Sequence, residues 1–330
     1  MNVLVTGGLG VNGCWVTRRL LEMGHRPIVL DDRPDFSLIS DIVADVQFVQ
    51  ADVRDFDAIL RTVKANRVER ICHLAGLYPR AADAEPLVGF QTNALSTVQI
   101  LEAARIAGVQ RVVYTSSIAA ITPISSEFLR PGHPAVAEDY PVVLRASGVY
   151  SATKVASELM GLNYRRLFGI EFVALRFATT YGPGKLAPRH GNINIVWQRI
   201  VENAMLGVPT RLQQDVNVLQ DMTYTRDVGD SVVLACFADK PDHSIFHIGS
   251  GRGYTLREFA DRVKQVIPAA LIEVDQTPSG TGVATAGSYL LDIGLARKEL
   301  GYEPTYDPAT ATRDWLHWLE RLNLRATART

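Results

Sequence analysis

The first thirteen residues constrain the fold more than any other stretch. Val3-Leu4-Val5 is a short apolar run that leads directly into Thr6-Gly7-Gly8-Leu9-Gly10-Val11-Asn12-Gly13. Glycines at 7, 10 and 13 permit a tight turn and close backbone approach, and a helical stretch follows near Cys14–Met23. A strand, a glycine turn and a helix N-terminus in that order offer free N–H groups to a pyrophosphate. Gly7, Gly10, Val11, Asn12 and Gly13 are therefore expected to hold the phosphates of a dinucleotide. Taken alone, the glycine spacing also suits an ordinary βα turn; its position at the head of a βαβ unit favours the dinucleotide.

Further apolar runs follow at Pro27–Leu30, Val46–Gln50, Arg70–Leu74 and Arg111–Thr115, with helical candidates near Phe56–Lys64 and Gln91–Ala107. A helix over Ser151–Phe168 and a strand over Glu171–Phe177 continue the rhythm. Apolar strands alternating with helices imply a parallel sheet buried on both faces. The expected fold is α/β, a Rossmann-type doubly wound parallel sheet with a smaller C-terminal substrate-binding lobe. Residues 1–181 form the expected cofactor domain, with 223–250 returning to it, and 182–222 plus 251–330 the lobe. In that lobe a helix is expected near Ile193–Leu206. Thr255-Leu256-Arg257-Glu258 reads as a capping box, and Asp307-Pro308 as the start of a last helix. Trp315 and Trp318 on that helix are expected to pack.

Composition excludes several functions. The 34 Lys+Arg against 35 Asp+Glu leave a net charge of −1, without the basic excess that neutralises nucleic-acid phosphates or draws a protein to an anionic membrane. Cys14, Cys72 and Cys236 are far apart, without disulfide-framework or zinc spacing. No metal is expected. Such a sparse, odd set of cysteines suits a reducing cytoplasm. No run nears the roughly 18 apolar residues of a transmembrane helix, and Val3-Leu4-Val5 reads as a first strand rather than a leader.

Asp31 closes the second strand, 18 residues past Gly13. There it would accept hydrogen bonds from the adenosine ribose and repel a 2′-phosphate, so the expected cofactor is NAD rather than NADP. Arg33 beside it softens that preference. Tyr150 and Lys154 sit one helical turn apart on one face. An ammonium beside a phenol stabilises phenolate, making Tyr150 a base or acid usable near neutral pH. Ser116-Ser117 end the fifth strand, at the sheet edge where ligands bind in such folds.

These residues resemble the NAD-dependent epimerase/dehydratase family of extended short-chain dehydrogenase/reductases. The resemblance rests on the glycine loop, Ala51-Asp52-Val53, His73-Leu74-Ala75-Gly76, Asn93, Thr115-Ser116-Ser117, Tyr150-x-x-x-Lys154 with Glu158, and Leu175-Arg176-Phe177 leading to Tyr181-Gly182-Pro183-Gly184. Phe246-His247-Ile248-Gly249 and Ala296-Arg297 through Pro304 extend it nearly to the end. It implies that Ser117, Tyr150 and Lys154 are catalytic and that Asp52 and Val53 flank the adenine. Leu74, Ala75, Gly76 and Phe177 would line the cofactor, and Lys154 would also bond the nicotinamide ribose. Asn93 would hold a backbone kink or a water near the lysine, or simply be a locally satisfied helical Asn. Ser116 would support Ser117 at the substrate. A homodimer is implied through the helices Gln91–Ala107 and Ser151–Phe168, with Ala94, Leu101, Met160 and Leu167 as contacts or as packing within the chain.

The chain departs from the pattern of members acting on nucleotide sugars. Those carry Asn where Thr179 stands and Arg where Gln220 precedes Asp221, and a third Arg is replaced near Thr277-Pro278. A diphosphate favours bidentate arginine donors, so their loss weakens a nucleotide-sugar reading. Thr179, Arg80 and Arg145 are candidate substrate contacts, with Arg189 and His190 also available; each charged residue equally suits a solvated loop. The long segment 118–149 is a candidate lid over an acid or polyol. The leading expectation is an NAD-dependent oxidoreductase at a secondary alcohol of a sugar or hydroxy-acid-like substrate. The alternatives are a nucleotide-sugar epimerase retaining its NAD and a non-catalytic dinucleotide sensor.

Overall fold

A computed structural model describes residues 1–125, 128, 133–143, 146–184, 196–212, 219–274 and 289–326. The strands are β1 Asn2–Thr6, β2 Arg26–Asp31, β3 Gln47–Gln50, β4 Arg70–His73, β5 Arg111–Ser117, β6 Glu171–Phe177, β7 Thr179–Tyr181, β8 Thr210–Leu212, β9 Met222–Tyr224, β10 Ile245–Ile248 and β11 Ile272–Val274. The helices are α1 Gly13–Glu22, α2 Phe56–Ala65, α3 Pro79–Ala84, α4 Pro86–Phe90, α5 Ser96–Ala107, α6 Val149–Phe168, α7 Val196–Leu206, α8 Thr225–Phe237, α9 Leu256–Val266, α10 Gly294–Leu300 and α11 Pro308–Arg321.

Seven strands form one parallel sheet in the order β3-β2-β1-β4-β5-β6-β10. This is the Rossmann order with one strand added. The absence of polar alternation in the strands follows from two-sided burial. Val3 and Val5 of β1 join a cluster with Val16, Leu20, Val228 and Cys236 on one face. Leu4 faces the other way, into a cluster with Ile59, Ile100, Leu101 and Phe172. The chain turns back between β1 and β4, so the ends of those two strands open a crevice at the topological switch point.

β10 joins the sheet beside β6, and the residues before it, Thr225–Phe237, form a helix packed on the same face as α1. A separate apolar cluster around Tyr181, Trp197, Tyr224, Phe259 and Trp315 holds the later elements together. Trp315 is fully buried there, and Trp318 packs edge-on against Trp15 at 4.9 Å between ring centroids. Both local start signals are made: Thr255 and Glu258 form the reciprocal capping box of α9, and Asp307 accepts the Thr310 N–H with Pro308 following.

Among the elements, one expectation differs. The stretch Gln91–Ala107 is not one regular helix, because Gln91–Leu95 forms a π-helical turn before α5. Ala94 and Leu101 are buried within the chain, unlike Leu167, which is 57% exposed. Within segment 118–149, Val136 and Glu138 bond to distant residues. Val136 donates to Leu290 O at 2.7 Å and accepts from Asp292 N at 2.8 Å, while Glu138 Oε1 accepts the His247 N–H at 2.8 Å. Among the described residues no helix is long and apolar enough to cross a membrane, and no His/Cys/Asp/Glu group is arranged to hold a metal.

Candidate active site

The glycine turn is closed by its own backbone. Gly7 N donates to Leu30 O at 2.8 Å, Gly10 N to Gly7 O at 3.0 Å, and Cys14 N to Gly10 O at 2.9 Å. Gly7 takes a φ of +68°, open to glycine, and a Cβ there would lie 2.8 Å from Ala75 N. The glycine turn thus packs directly on Leu74-Ala75-Gly76 after β4, across the switch-point crevice. Asn12 stands at the N-cap of α1, and its buried Oδ1 has no partner among the described residues. Val11 turns its side chain into the cluster of Trp15, Leu38 and Trp318, which leaves its backbone for the turn.

Asp31 ends β2 beside this turn. Its carboxylate accepts the Leu9 N–H at 3.1 Å and the Arg33 N–H at 3.3 Å. Burial raises its pKa from the ordinary value, and those two backbone donors act in the opposite direction. Asp52 is occupied by Arg54, whose guanidinium and backbone N–H both reach it; the guanidinium holds the carboxyl below its usual range. Its side chain is therefore engaged locally, with Val53 buried behind it.

Ser117, Tyr150 and Lys154 meet above the C-terminal end of β5. The Ser117 hydroxyl accepts the Ala119 N–H at 3.2 Å, capping the short turn that follows the strand. It also lies near enough to the Tyr150 phenol to act on its pKa, in the lowering direction. Lys154 is buried, donates to Thr115 O at 2.7 Å, and sits 5.4 Å from the Tyr150 ring centroid and 4.7 Å from that of Tyr114. Burial lowers its pKa to about 8, with Glu158 opposing the shift. The Tyr150 phenol lies above its ordinary value, not below it as the tyrosine–lysine spacing suggests. Desolvation outweighs the influence of Ser117, and the ammonium is turned to the Thr115 carbonyl.

The other predicted residues are spread around this centre. Asn93 lies in the π-helical turn and clamps Leu77, accepting its N–H at 2.6 Å and donating to its carbonyl at 3.0 Å. Its own carbonyl accepts Ser157 Oγ of α6 at 3.1 Å. The kink is thus built by side chain and backbone together, a common form of π-bulge at functional sites. Phe177 pairs in register with Ser117 and is buried in the sheet core. Thr179 is exposed on β7, and Arg80 is exposed on α3. Arg145, Arg189, His190 and Thr277-Pro278 lie outside the described residues.

Ser116, as a neighbour of Ser117 on a strand, points to the other face of the sheet. It is buried there, donating to Glu158 Oε1 at 2.6 Å, on the helix that carries Tyr150 and Lys154. Glu158 in turn pairs bidentately with Arg176 at 2.9 and 2.8 Å, both side chains buried. Removing one member would strand a buried charge at a cost of about 3–5 kcal/mol. This pair locks α6, which carries Tyr150 and Lys154, onto β5 and β6. His73, fully buried, contacts Thr6 Oγ1 at 2.7 Å; burial lowers its pKa to about 3 and keeps it neutral. Glu158, Arg176 and His73 all stand in the motifs, but their roles depend on partners that no local pattern specifies.

The two described departures from the nucleotide-sugar pattern converge. Thr179 of β7 pairs with Met222 of β9, and Gln220 stands two residues before Met222. Gln220 exchanges backbone hydrogen bonds of 3.0 Å with Tyr254. Asp221 next to it is buried and accepts from Ser250 N, Ser250 Oγ and Leu291 N at 2.8, 2.9 and 3.0 Å. Asp221 is thus a structural tie between segments.

A family model for the NAD dependent epimerase/dehydratase family matches residues 3–249. UDP-glucose 4-epimerase of Mycolicibacterium smegmatis is 31% identical over 313 residues, covering 92% of this chain and 94% of that protein. dTDP-glucose 4,6-dehydratase of Streptomyces antibioticus is 27% identical over 342 residues, covering 98% and 96%. Among solved structures, a UDP-glucose 4-epimerase of Thermus thermophilus in complex with NAD is similar with a TM-score of 0.76 at 26% identity, covering 97% of this chain and 99% of that one.

Proposed function

The chain belongs to the NAD-dependent epimerase/dehydratase family, and from that premise we propose that it catalyses hydride transfer at a secondary alcohol of a sugar or hydroxy-acid-like substrate. The observation that carries the reading is the meeting of Ser117, Tyr150 and Lys154 at the C-terminal end of β5, beside the glycine turn. That turn fits a dinucleotide: a Cβ at Gly13 would sit 2.1 Å from Gly7 O, so only bare backbone lines the bend. The Cys14, Trp15 and Val16 N–H groups already bond to Gly10 O and Asn12 O. The backbone N–H groups offered to phosphate would therefore be those of Val11, Asn12 and Gly13 at the head of α1, with Asp31 for the ribose.

NAD is the cofactor, and when bound it supplies the hydride acceptor. The chain's own residues do the rest. Tyr150 would act as phenolate, a form that the positive nicotinamide ring and the Lys154 ammonium would favour against burial. It would take the alcohol proton at its phenolic oxygen and become the neutral phenol, while Ser117 would hydrogen-bond the reacting oxygen. Lys154 adds positive charge beneath the ring and bonds the nicotinamide ribose. Leu74, Ala75, Gly76, Asn93 and Phe177 shape the nicotinamide side, and Asp52 and Val53 the adenine side. Thr179 on β7 and Gln220, two residues before β9, lack the charge a diphosphate clamp would need. That favours a small substrate and net oxidation. The epimerase relatives favour a second reading, in which the same residues invert a nucleotide sugar with no net redox change.

Incubation with NAD and a panel of sugars, sugar acids and nucleotide sugars separates the two. NADH accumulation supports the dehydrogenase; an isomeric product without NADH supports the epimerase; tight NAD binding with neither supports a sensor. Tyr150→Phe should lower turnover roughly 100- to 10,000-fold while leaving NAD affinity within about two-fold, and near-normal turnover would overturn the mechanism.

The same proposal includes a cofactor domain of residues 1–181 with 223–250, and a substrate lobe of 182–222 and 251–330. Tyr289 and Tyr302 of the lobe nevertheless pack into the sheet-face cluster, and Tyr181 and Tyr224 into that of Trp197, Phe259 and Trp315. It includes a homodimer through α5 and α6, supported by the exposed Leu159, Leu167 and Phe168. A cytoplasmic setting suits three buried free cysteines.

A further inference from the structure

The helix that carries Tyr150 and Lys154 has no cap of its own. Its N-cap is Gly148, which has no side chain, and its first turn holds no acidic residue. The helical bonding begins there, with Ala152 N donating to Gly148 O at 3.2 Å. The missing acceptor comes from another element. Oδ1 of Asp83, on α3, accepts the Val149 N–H at 2.7 Å across a separation of 66 residues.

Gly148 is shaped for this contact. Its φ is +96°, and a Cβ on it would lie 3.0 and 3.1 Å from the two Asp83 carboxylate oxygens. A side chain at 148 would therefore crowd the carboxylate as well as strain the backbone. α3 follows the Leu74-Ala75-Gly76 segment beyond the switch point, so one hydrogen bond joins the β4 side of the crevice to the start of α6. Tyr150 is the next residue after Val149.

We propose that Asp83 is a positioning residue, a latch that fixes the first turn of α6 and with it the Tyr150 phenol. The proposal rests on the reading of Tyr150 above. The first N–H groups of a helix have no partners within it, and an uncapped first turn frays. A carboxylate at that end also meets the positive end of the helix dipole. Reacting groups lose efficiency steeply with small displacements. Because Asp83 is exposed, its substitution leaves the core intact.

The test compares Asp83→Ala and Asp83→Asn, with Gly148→Ala as a second route to displacing the carboxylate. Hydrogen exchange over residues 147–155 is measured alongside kcat, KM and NAD affinity, using the alcohol that yields NADH in the panel. Asp83→Ala should speed exchange at the start of α6 and lower kcat, each by roughly five-fold, the scale of a lost N-cap. NAD affinity should stay within about two-fold. Asp83→Asn keeps an amide oxygen that can accept the Val149 N–H, so it should restore both quantities to within about two-fold of the original. Gly148→Ala should behave as Asp83→Ala does. Unchanged exchange in Asp83→Ala overturns the latch by itself, whatever the reaction. Faster exchange with unchanged kcat overturns the positioning role. Full turnover in Tyr150→Phe is a different result, and it would overturn the Tyr150 reading while leaving the exchange test of the latch in force.

Discussion

Gly13→Ala is the most direct test of the dinucleotide site. A Cβ at this position would lie 2.1 Å from Gly7 O, 2.7 Å from Gly8 Cα and 2.9 Å from Gly7 C, all backbone atoms. Relief therefore requires the turn to open by about an ångström, since ordinary contacts begin near 3.4 Å. The turn has nowhere to go. Gly7 is bonded to Leu30 O and Gly10 to Gly7 O, and Ala75 backbone packs against the far side of Gly7. Opening it displaces the Val11, Asn12 and Gly13 N–H groups, the ones that would face a pyrophosphate. Hydrogen bonds to a charged group contribute about 1.5–3 kcal/mol each. Losing the alignment of two of them weakens NAD binding by roughly 100- to 1,000-fold or more. Calorimetric titration with NAD reads this, with circular dichroism confirming a folded protein. Gly24→Ala is the control: its Cβ would meet nothing within 4 Å, although its φ is +74°. It should reduce stability by about 1–2 kcal/mol and leave NAD affinity unchanged. A folded Gly13→Ala protein that binds NAD like the wild type would refute the assignment of the turn.

Asp31→Ala should narrow the preference for NAD over NADP by roughly ten-fold; a wild-type protein that prefers NADP in titration would remove the assigned role. Lys154 is a buried amine whose pKa falls from 10.5 to about 8 on folding, so the unfolded chain binds more protons between those values. Stability therefore rises as pH increases from 8 to 10.5, and the full penalty, on the order of 3 kcal/mol, applies below pH 8. Lys154→Met escapes it, so the stability difference between the two proteins should shift by on the order of 2 kcal/mol between pH 7 and pH 10 in urea unfolding; a difference independent of pH would contradict the buried charge. Light scattering should give the mass of a homodimer, and a monomer at working concentration would exclude the α5–α6 interface.

The strand rhythm and the glycine turn were legible because each is a local consequence of sequence. Val3-Leu4-Val5 is apolar throughout because both sheet faces are covered, and that pattern survives any detail of packing. The capping signals at Thr255 and Asp307 work over three or four residues and formed as expected. The motif residues Tyr150, Lys154 and Ser117 came together because a strand end and a helix start on the same sheet edge leave little choice. Ser116 points the other way from Ser117, since strand side chains alternate, and its partner, Glu158, is 42 residues away.

The sequence alone determined an α/β sheet, a glycine turn at its first strand, and the placing of Ser117 at a strand end with Tyr150 and Lys154 on one helix face. All of these rest on periodicity, on glycine stereochemistry or on spacing within one element. Only the tertiary structure decided how those groups behave. It turned Lys154 to the Thr115 carbonyl, raised the Tyr150 phenol by burial, bent Gln91–Leu95 around the Asn93–Leu77 clamp, and brought Asp83 to the bare end of α6. Each outcome depends on desolvation or on a hydrogen bond between residues distant in the chain. Such contacts are set by how the layers pack, and local sequence carries no record of them.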